Sequence, residues 1–282
     1  MLWSRNEHNH DRPMTRIALF PMYDFPEVRD ATDALWQALA AQLRAAGLEA
    51  VPDTLARPLT PHESWRHPQL LLGQSCGYPA TAEFRAQVRI IATPLYTAPG
   101  CDGPMHCSFF IVPAASAATR LDDLRGAVFA FNSRDSNSGM NLPRLAIAPL
   151  AGGKNFFARM TETGSHAESL ARVAAGEADA AAIDCVTHAL LARHRPHLVG
   201  ATRILARTAS SPSLPFVTAR STDEATVAAL RAALAQIMRD PALAASREAL
   251  FLSGVIPADA DAYAVVLGYE DAARRLGYEA LA

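Results

Sequence analysis

Short apolar runs alternate with amphipathic stretches along the whole chain, a pattern that predicts βαβ units and an α/β class with a largely parallel sheet. Ile17 to Met22 reads as a strand. Residues 27–46 then read as a helix, with Val28, Ala31, Leu35, Leu39 and Leu43 on one face and Gly47 as its stop. Leu70 to Gly73 and Arg89 to Tyr96 read as strands, with a short helix over Thr81 to Gln87 between them. Cys107 to Pro113 and Val128 to Asn132 are further strands on either side of a short helix at Leu121 to Arg125. Ser138 to Leu150 reads as a helix despite Pro143 in its early turns. Ser165 and Glu168 have capping-box spacing before a stripe of Leu170, Val173 and Ala174 that stops at Gly176. Ala180 to Cys185 reads as a buried strand and Val186 to His194 as a helix, followed by strands at Ile204 to Ala209 and Leu214 to Ala219. Ser221 and Glu224 suggest a second capping box opening a helix to about Arg239, and two helical segments finish the chain.

With 282 residues the chain is long enough for two lobes with separate cores. No repeat or low-complexity linker separates them, so the chain is expected to cross between lobes more than once. Cys107 to Ser108 and Thr208 to Ser213 are the best crossing points. This divides the chain into 14–108, a first part of lobe 1, 109–208, an inserted lobe 2, and 209–282, the completion of lobe 1.

A net charge of -2 with 19% charged residues offers no basic face for nucleic acid. No apolar stretch approaches about 18 residues, so membrane insertion is not expected. Met1 to Asp11 carries Arg5, Glu7, His8, His10 and Asp11 without an apolar core, so no secretory signal is visible and Met14 is a possible start. As written, the chain is expected in the cytoplasm, with the periplasm as the alternative if a signal has been removed. Of four cysteines, Cys101 and Cys107 flank a Gly-Pro turn and would either bridge under oxidising conditions or remain free thiols.

Four loops carry candidate chemistry, because ligands in open α/β sheets sit where strands hand over to helices. In Asn132 to Gly139, Ser136, Asn137 and Ser138 can add side-chain donors to a helix N-terminus, and Gly139 would let a ligand approach closely. The same loop is also an ordinary place for a Ser N-cap. His166 in Thr163-Gly164-Ser165-His166 would donate to an anion or be a surface residue. Asp184, ending a buried strand, would accept a proton from a protonated oxyanion, pair with an amine, or cap the next helix. Tyr23, Tyr78 and Tyr96 follow three strands of the other lobe and would form an opposing wall, although each alone is an ordinary packing residue. The catalytic motifs G-x-S-x-G, G-x-x-x-x-G-K-[ST], G-x-G-x-x-G and H-E-x-x-H are absent, and the spacing of His188, His194 and His197 does not make one helical face. No cofactor or metal is expected.

These loops together resemble the phosphate/phosphite/phosphonate-binding proteins of ABC transporters, through GQSCGYP (73–79), the N-x5-S-G loop at Asn132 to Gly139, TGSHAESL (163–170) and GEADAAAID (176–184). The resemblance implies a two-lobed type 2 periplasmic-binding fold with two crossover strands. It implies a small oxyanion held by Ser136, Asn137 and Ser138, with His166 and Asp184 contacting it from the second lobe and Tyr78, Tyr96 and Tyr23 from the first. It also implies an ABC permease as partner. Asn137 stands where such binders usually carry a hydroxyl residue. The competing readings are a cytoplasmic biosynthetic enzyme on the same fold, with His166 and Asp184 as acid–base groups, a ligand sensor, and an interaction module without a ligand.

Overall fold

The computed structural model describes residues 15–282. The expectations for the leader, a start at Met14 and a missing signal lie outside the described residues. In chain order the strands are β1 (Ile17–Leu19), β2 (Leu70–Gln74), β3 (Val88–Tyr96), β4 (Met105–His106), β5 (Ser108–Pro113), β6 (Val128–Phe131), β7 (Arg159–Glu162), β8 (Ala180–Asp184), β9 (Thr202–Arg207), β10 (Ser211–Pro212), β11 (Phe216–Ala219) and β12 (Leu252–Pro257). The α-helices are α1 (Arg29–Ala45), α2 (Pro61–Trp65), α3 (Gly77–Thr81), α4 (Leu142–Ala151), α5 (His166–Ala174), α6 (Cys185–His194), α7 (Pro196–Gly200), α8 (Glu224–Arg239), α9 (Ala244–Ala249) and α10 (Ala264–Arg275). A wide π turn, Asn137–Asn141, leads directly into α4.

The strands form two five-stranded sheets, ordered β1-β2-β11-β3-β12 and β7-β6-β8-β5-β9, joined by the antiparallel ribbon of β4 and β10. Both sheets are mixed, a departure from the largely parallel sheet expected. β11 runs against β2 and β3, and β5 runs against β8 and β9. The reason is topological: β5 carries the chain away from the ribbon, whereas β6 and β8 return towards it.

Alternation along the strands explains the cores. In β5, Phe109 and Ile111 face one cluster while Phe110 and Val112 face the other, and in β8 Ala181 and Ile183 oppose Ala180 and Ala182. A strand covered on both faces needs a continuous apolar run, which Ala180-Ala181-Ala182-Ile183 supplies. On α1, the stripe of Leu35, Trp36, Leu39 and Leu43 is buried against the first sheet.

The C-terminus departs from the expected completion of lobe 1 by 209–282. Ala273, Tyr278 and Leu281 join Phe129, Phe156 and Phe157 in the core outside the second sheet. Arg144 donates to the Glu279 carbonyl at 2.8 Å. Val266, earlier on α10, packs beside Tyr263 in a first-sheet cluster. This helix therefore spans both lobes.

Other differences are local. The helix expected at Thr81 to Gln87 is α3, a turn earlier, because Pro79 is tolerated in a first turn. Asp223, not Ser221, caps α8 by accepting from Thr226 N–H at 2.8 Å. β7 is polar and β12 holds Gly254 and Pro257, so neither announces itself, and both lie at sheet edges.

Tyr263 ties the returning crossover to β3. Its buried hydroxyl donates to the Ser213 carbonyl at 2.6 Å and lies 2.8 Å from Thr93 Oγ1. Tyr263→Phe is expected to cost about 1–3 kcal/mol, read as a lower urea midpoint at unchanged m.

Candidate functional site

Three strands of the second sheet end at the space between the lobes, and each hands over to a helix that starts there. β6 leads to Ser136, whose Oγ caps the π turn by accepting from Gly139 N–H at 2.9 Å. β7 leads to Ser165, which caps α5 by accepting from Glu168 N–H at 3.1 Å. β8 ends in Asp184, whose Oδ1 caps α6 by accepting from Thr187 N–H at 2.8 Å. All three helix ends line one cavity of about 480 Å³. The first lobe lines it with Met22, Tyr23, Phe25, His62, Trp65 and Cys76, among others.

The hydrogen bonds fix the polarity of the floor. His166 Nδ1 lies 3.1 Å from the Ala182 carbonyl, and Nε2 lies 2.7 Å from Ser138 Oγ. A carbonyl only accepts, so the partners assign the proton to Nδ1. Burial pushes the His166 pKa down, outweighing the attraction of Asp184. The ring is therefore neutral near pH 7, Nε2 accepts, and Ser138 donates to it. Ser138 Oγ also lies 3.4 Å from Ser136 Oγ.

Asp184 is 1% exposed, and its Oδ2 has no hydrogen-bond partner among the described residues. His106 Nε2 lies 3.4 Å away and is not aligned as a hydrogen bond. The Tyr23 hydroxyl is also buried without a partner, and burial first, then Asp184, hold its pKa well above the usual tyrosine range. Among the lining residues Arg195 alone carries a fixed positive charge, and Glu27 takes it in a bidentate pair at 2.8 and 3.2 Å. Attraction for an anion must come instead from the aligned helix ends and hydroxyls.

Among the described residues, the contacts between the lobes include three side-chain pairs. Arg195, just after α6, binds Glu27 of the first lobe. His62 Nε2 meets Asp135 Oδ2 at 2.6 Å, and Asn137 Nδ2 donates to Ser211 Oγ at 2.8 Å.

Of the residues singled out in the sequence, Tyr23, Ser136, Ser138, His166 and Asp184 meet at the cavity. Asn137 does not: besides Ser211 it accepts from Asn141, and its N–H faces Cys76 Sγ at 3.2 Å. Gly139 serves protein packing rather than close approach of a ligand, since a Cβ there would meet Asn132 Oδ1 at 1.9 Å and His166 Cε1 at 3.2 Å. Tyr78 turns away and donates to Glu270. Tyr96 stands behind Tyr23, ring centroids 5.4 Å apart and edge-on, and accepts from Gln74. The sequence reading missed His62, Trp65 and Arg195. Thr60 and Glu63, a capping box just around His62, were the available signal for the first of these.

Two α/β lobes around a cavity lined by helix N-termini define a two-lobed solute-binding protein. The chain belongs to the family of ABC transporter phosphonate periplasmic substrate-binding proteins, which it matches over residues 17–263. It is similar in fold to a binding protein component of an ABC phosphonate transporter from Pseudomonas aeruginosa, with TM-score 0.75, 16% identity, and coverage of 93% of this chain and 87% of that one. PhnD1 from Prochlorococcus marinus, in complex with methylphosphonate, gives TM-score 0.70 at 16% identity, covering 94% and 98%. XAC2383 from Xanthomonas citri, bound to chloride, gives TM-score 0.70 at 20% identity, covering 92% and 98%. No curated protein matches the chain in sequence. Among the described residues no helix is long and apolar enough to cross a membrane.

Two outcomes are expected. Because the folded His166 pKa lies below its ordinary 6.5, the unfolded chain takes up a proton first. His166's stabilising contribution is thus complete above about pH 6.5 and is lost as pH falls towards the folded pKa. The difference in Tm between the wild type and His166→Gln, followed from about pH 8 to about pH 5, should narrow in that direction. Arg195→Ala should enlarge the radius of gyration in small-angle scattering while costing no more than about 1 kcal/mol of stability, since the pair is partly solvated and screened.

Proposed function

We propose that this chain captures a singly protonated phosphonate or phosphate ester carrying an organic substituent, and delivers it to an ABC permease from the periplasm. Family membership supports the transport setting and the periplasmic location. The observation that carries the ligand reading is the convergence of three helix N-termini on Ser136, Ser138 and His166. Ser136 and the helix N–H groups would donate to the ligand oxygens, with Ser138, whose proton goes to His166, holding that ring in place beside them. Tyr23 would reach it from the first lobe, with Tyr96 supporting Tyr23 from behind.

The unpartnered Asp184 Oδ2 favours a ligand that brings its own proton, because two acceptors repel unless a hydrogen lies between them. A phosphonate or phosphate monoester keeps such a proton near neutral pH, whereas sulfate does not. The cavity, about 480 Å³, falls in the range of sites for larger organic ligands, roughly 300–1,000 Å³. Met22, Phe25 and Trp65 would cover the substituent. On the lobes, we assign residues 15–108 with 209–263 to the first and 109–208 to the second, with the C-terminal helix bridging them.

The Ser138–His166 contact at 2.7 Å favours a second reading, an esterase with Ser138 as nucleophile. Its discriminating sign would be release of a product from the bound ester. The family supports a binding role.

Calorimetry tests the first reading with methylphosphonate, phenylphosphonate, phosphate and sulfate. Phosphonates should bind at micromolar Kd or tighter and sulfate at least about 100-fold more weakly. Ser136→Ala should cost about 10- to 100-fold in affinity, as for a hydrogen bond to a charged group. No binding tighter than millimolar across the panel, or sulfate binding as well as phosphonate, would overturn it.

A further inference from the structure

Three of the four cysteines meet where the first crossover enters the second lobe. Cys101 Sγ lies 3.5 Å from Cys185 Sγ. Cys185 opens α6, and its N–H donates to the Cys107 carbonyl at 3.0 Å. The loop that brings Cys101 there depends on Gly100, whose φ of +102° favours glycine and where a Cβ would come within 2.9 Å of Cys185 Cβ and 3.1 Å of Cys107 Sγ. Cys101 is partly exposed, while Cys107 and Cys185 are buried. The cluster is not a metal site by its geometry among the described residues.

We propose that Cys101 and Cys185 form an oxidisable thiol pair whose disulfide fastens the first lobe to the N-terminus of α6. The oxidant is a low-molecular-weight disulfide or a disulfide-donating oxidase. Cys101, the accessible thiol, loses its proton and attacks one oxidant sulfur, and the other oxidant sulfur leaves as a thiolate. Cys185 then loses its proton and attacks the Cys101 sulfur of the mixed disulfide, releasing the second oxidant thiolate. Two thiols are oxidised, one oxidant disulfide is reduced to two thiols, and the two protons pass to them. The 3.5 Å separation would have to close to a bond of about 2 Å.

The contact with Cys101 pushes the Cys185 thiol up, and contact with Cys185 together with burial pushes Cys107 up. The two buried thiols are thus held protonated and slow to react, so the accessible Cys101 leads. The consequence concerns closure. The segment holding Cys101 hangs from the first lobe, where Thr97 N–H donates to the Phe251 carbonyl at 2.8 Å. α6 carries Asp184 at one end and leads to Arg195 at the other. A bond between these parts adds a third covalent connection to the two crossovers.

The test incubates the full chain with oxidised glutathione and maps peptides without reduction. The expected result is a Cys101–Cys185 linked pair, with Cys76 and Cys107 remaining as free thiols. Oxidation should raise Tm by several degrees in the wild type and leave Cys101→Ser unmoved. Four free thiols after oxidation, a bond through any other pair including Cys101–Cys107, or an unchanged wild-type Tm would overturn the proposal. None of these readouts uses a ligand, so failure to bind phosphonates leaves this result standing or falling by itself.

Discussion

The pairing of Ser108 with Asp184, where β5 begins and β8 ends, is the contact on which hinge and site both depend. β5 is the strand by which the chain enters the second lobe. β8 is the strand that delivers Asp184 and then Cys185 to the cavity. Because the strands are antiparallel, the point of entry lies beside the point of delivery. A rotation between the lobes is therefore felt at Asp184 over a very short distance. His106, one step before the crossover, reaches the same carboxylate while anchored to the Ser211 carbonyl on the returning ribbon.

The electrostatics of the cavity follow from what surrounds that carboxylate. Asp24, Asp135 and Asp184 line the space, and the one fixed cation is neutralised by Glu27. Asp24 is paired with Arg57 and Arg29, so Asp135 and Asp184 are the carboxylates that an anion would meet. Three helix N-termini oppose them, because each presents partial positive charge within its first turn. On the proposed reading the arrangement would select on proton position as well as charge. His166 accepts and Ser138 has spent its proton on it. A fully deprotonated dianion would meet acceptors on that side, whereas a monoanion with one O–H offers what the floor lacks.

How much of this was readable in the sequence depended on the kind of signal. Ser165, His166 and Asp184 were visible because helix caps and buried strands have local signatures, and each of these residues sits at a strand-to-helix junction. The two-lobed division was visible because apolar runs alternate without a linker. Tyr78 and Asn137 misled for one reason: their loops do reach the cavity, but side-chain direction is set by distant partners, Glu270 for one and Ser211 for the other. These lie 192 and 74 residues away in sequence, beyond any periodicity. His62 and Arg195 escaped because a surface histidine or arginine becomes part of a site only when another lobe comes to meet it.

Asn137 shows what that meeting accomplishes. An amide has a donor and an acceptor on separate atoms, and both are used here, Nδ2 towards Ser211 across the lobes and Oδ1 towards Asn141 within the helix. A hydroxyl, shorter and with a single proton, could not span both partners in the same way. The residue thereby couples the first turn of the anion-facing helix to the returning crossover, which Tyr263 in turn binds to β3. Opening the lobes would break the Asn137–Ser211 bond and free the turn that positions Ser136 and Ser138. On the proposed reading, a ligand that satisfies this turn would also stabilise the closed arrangement.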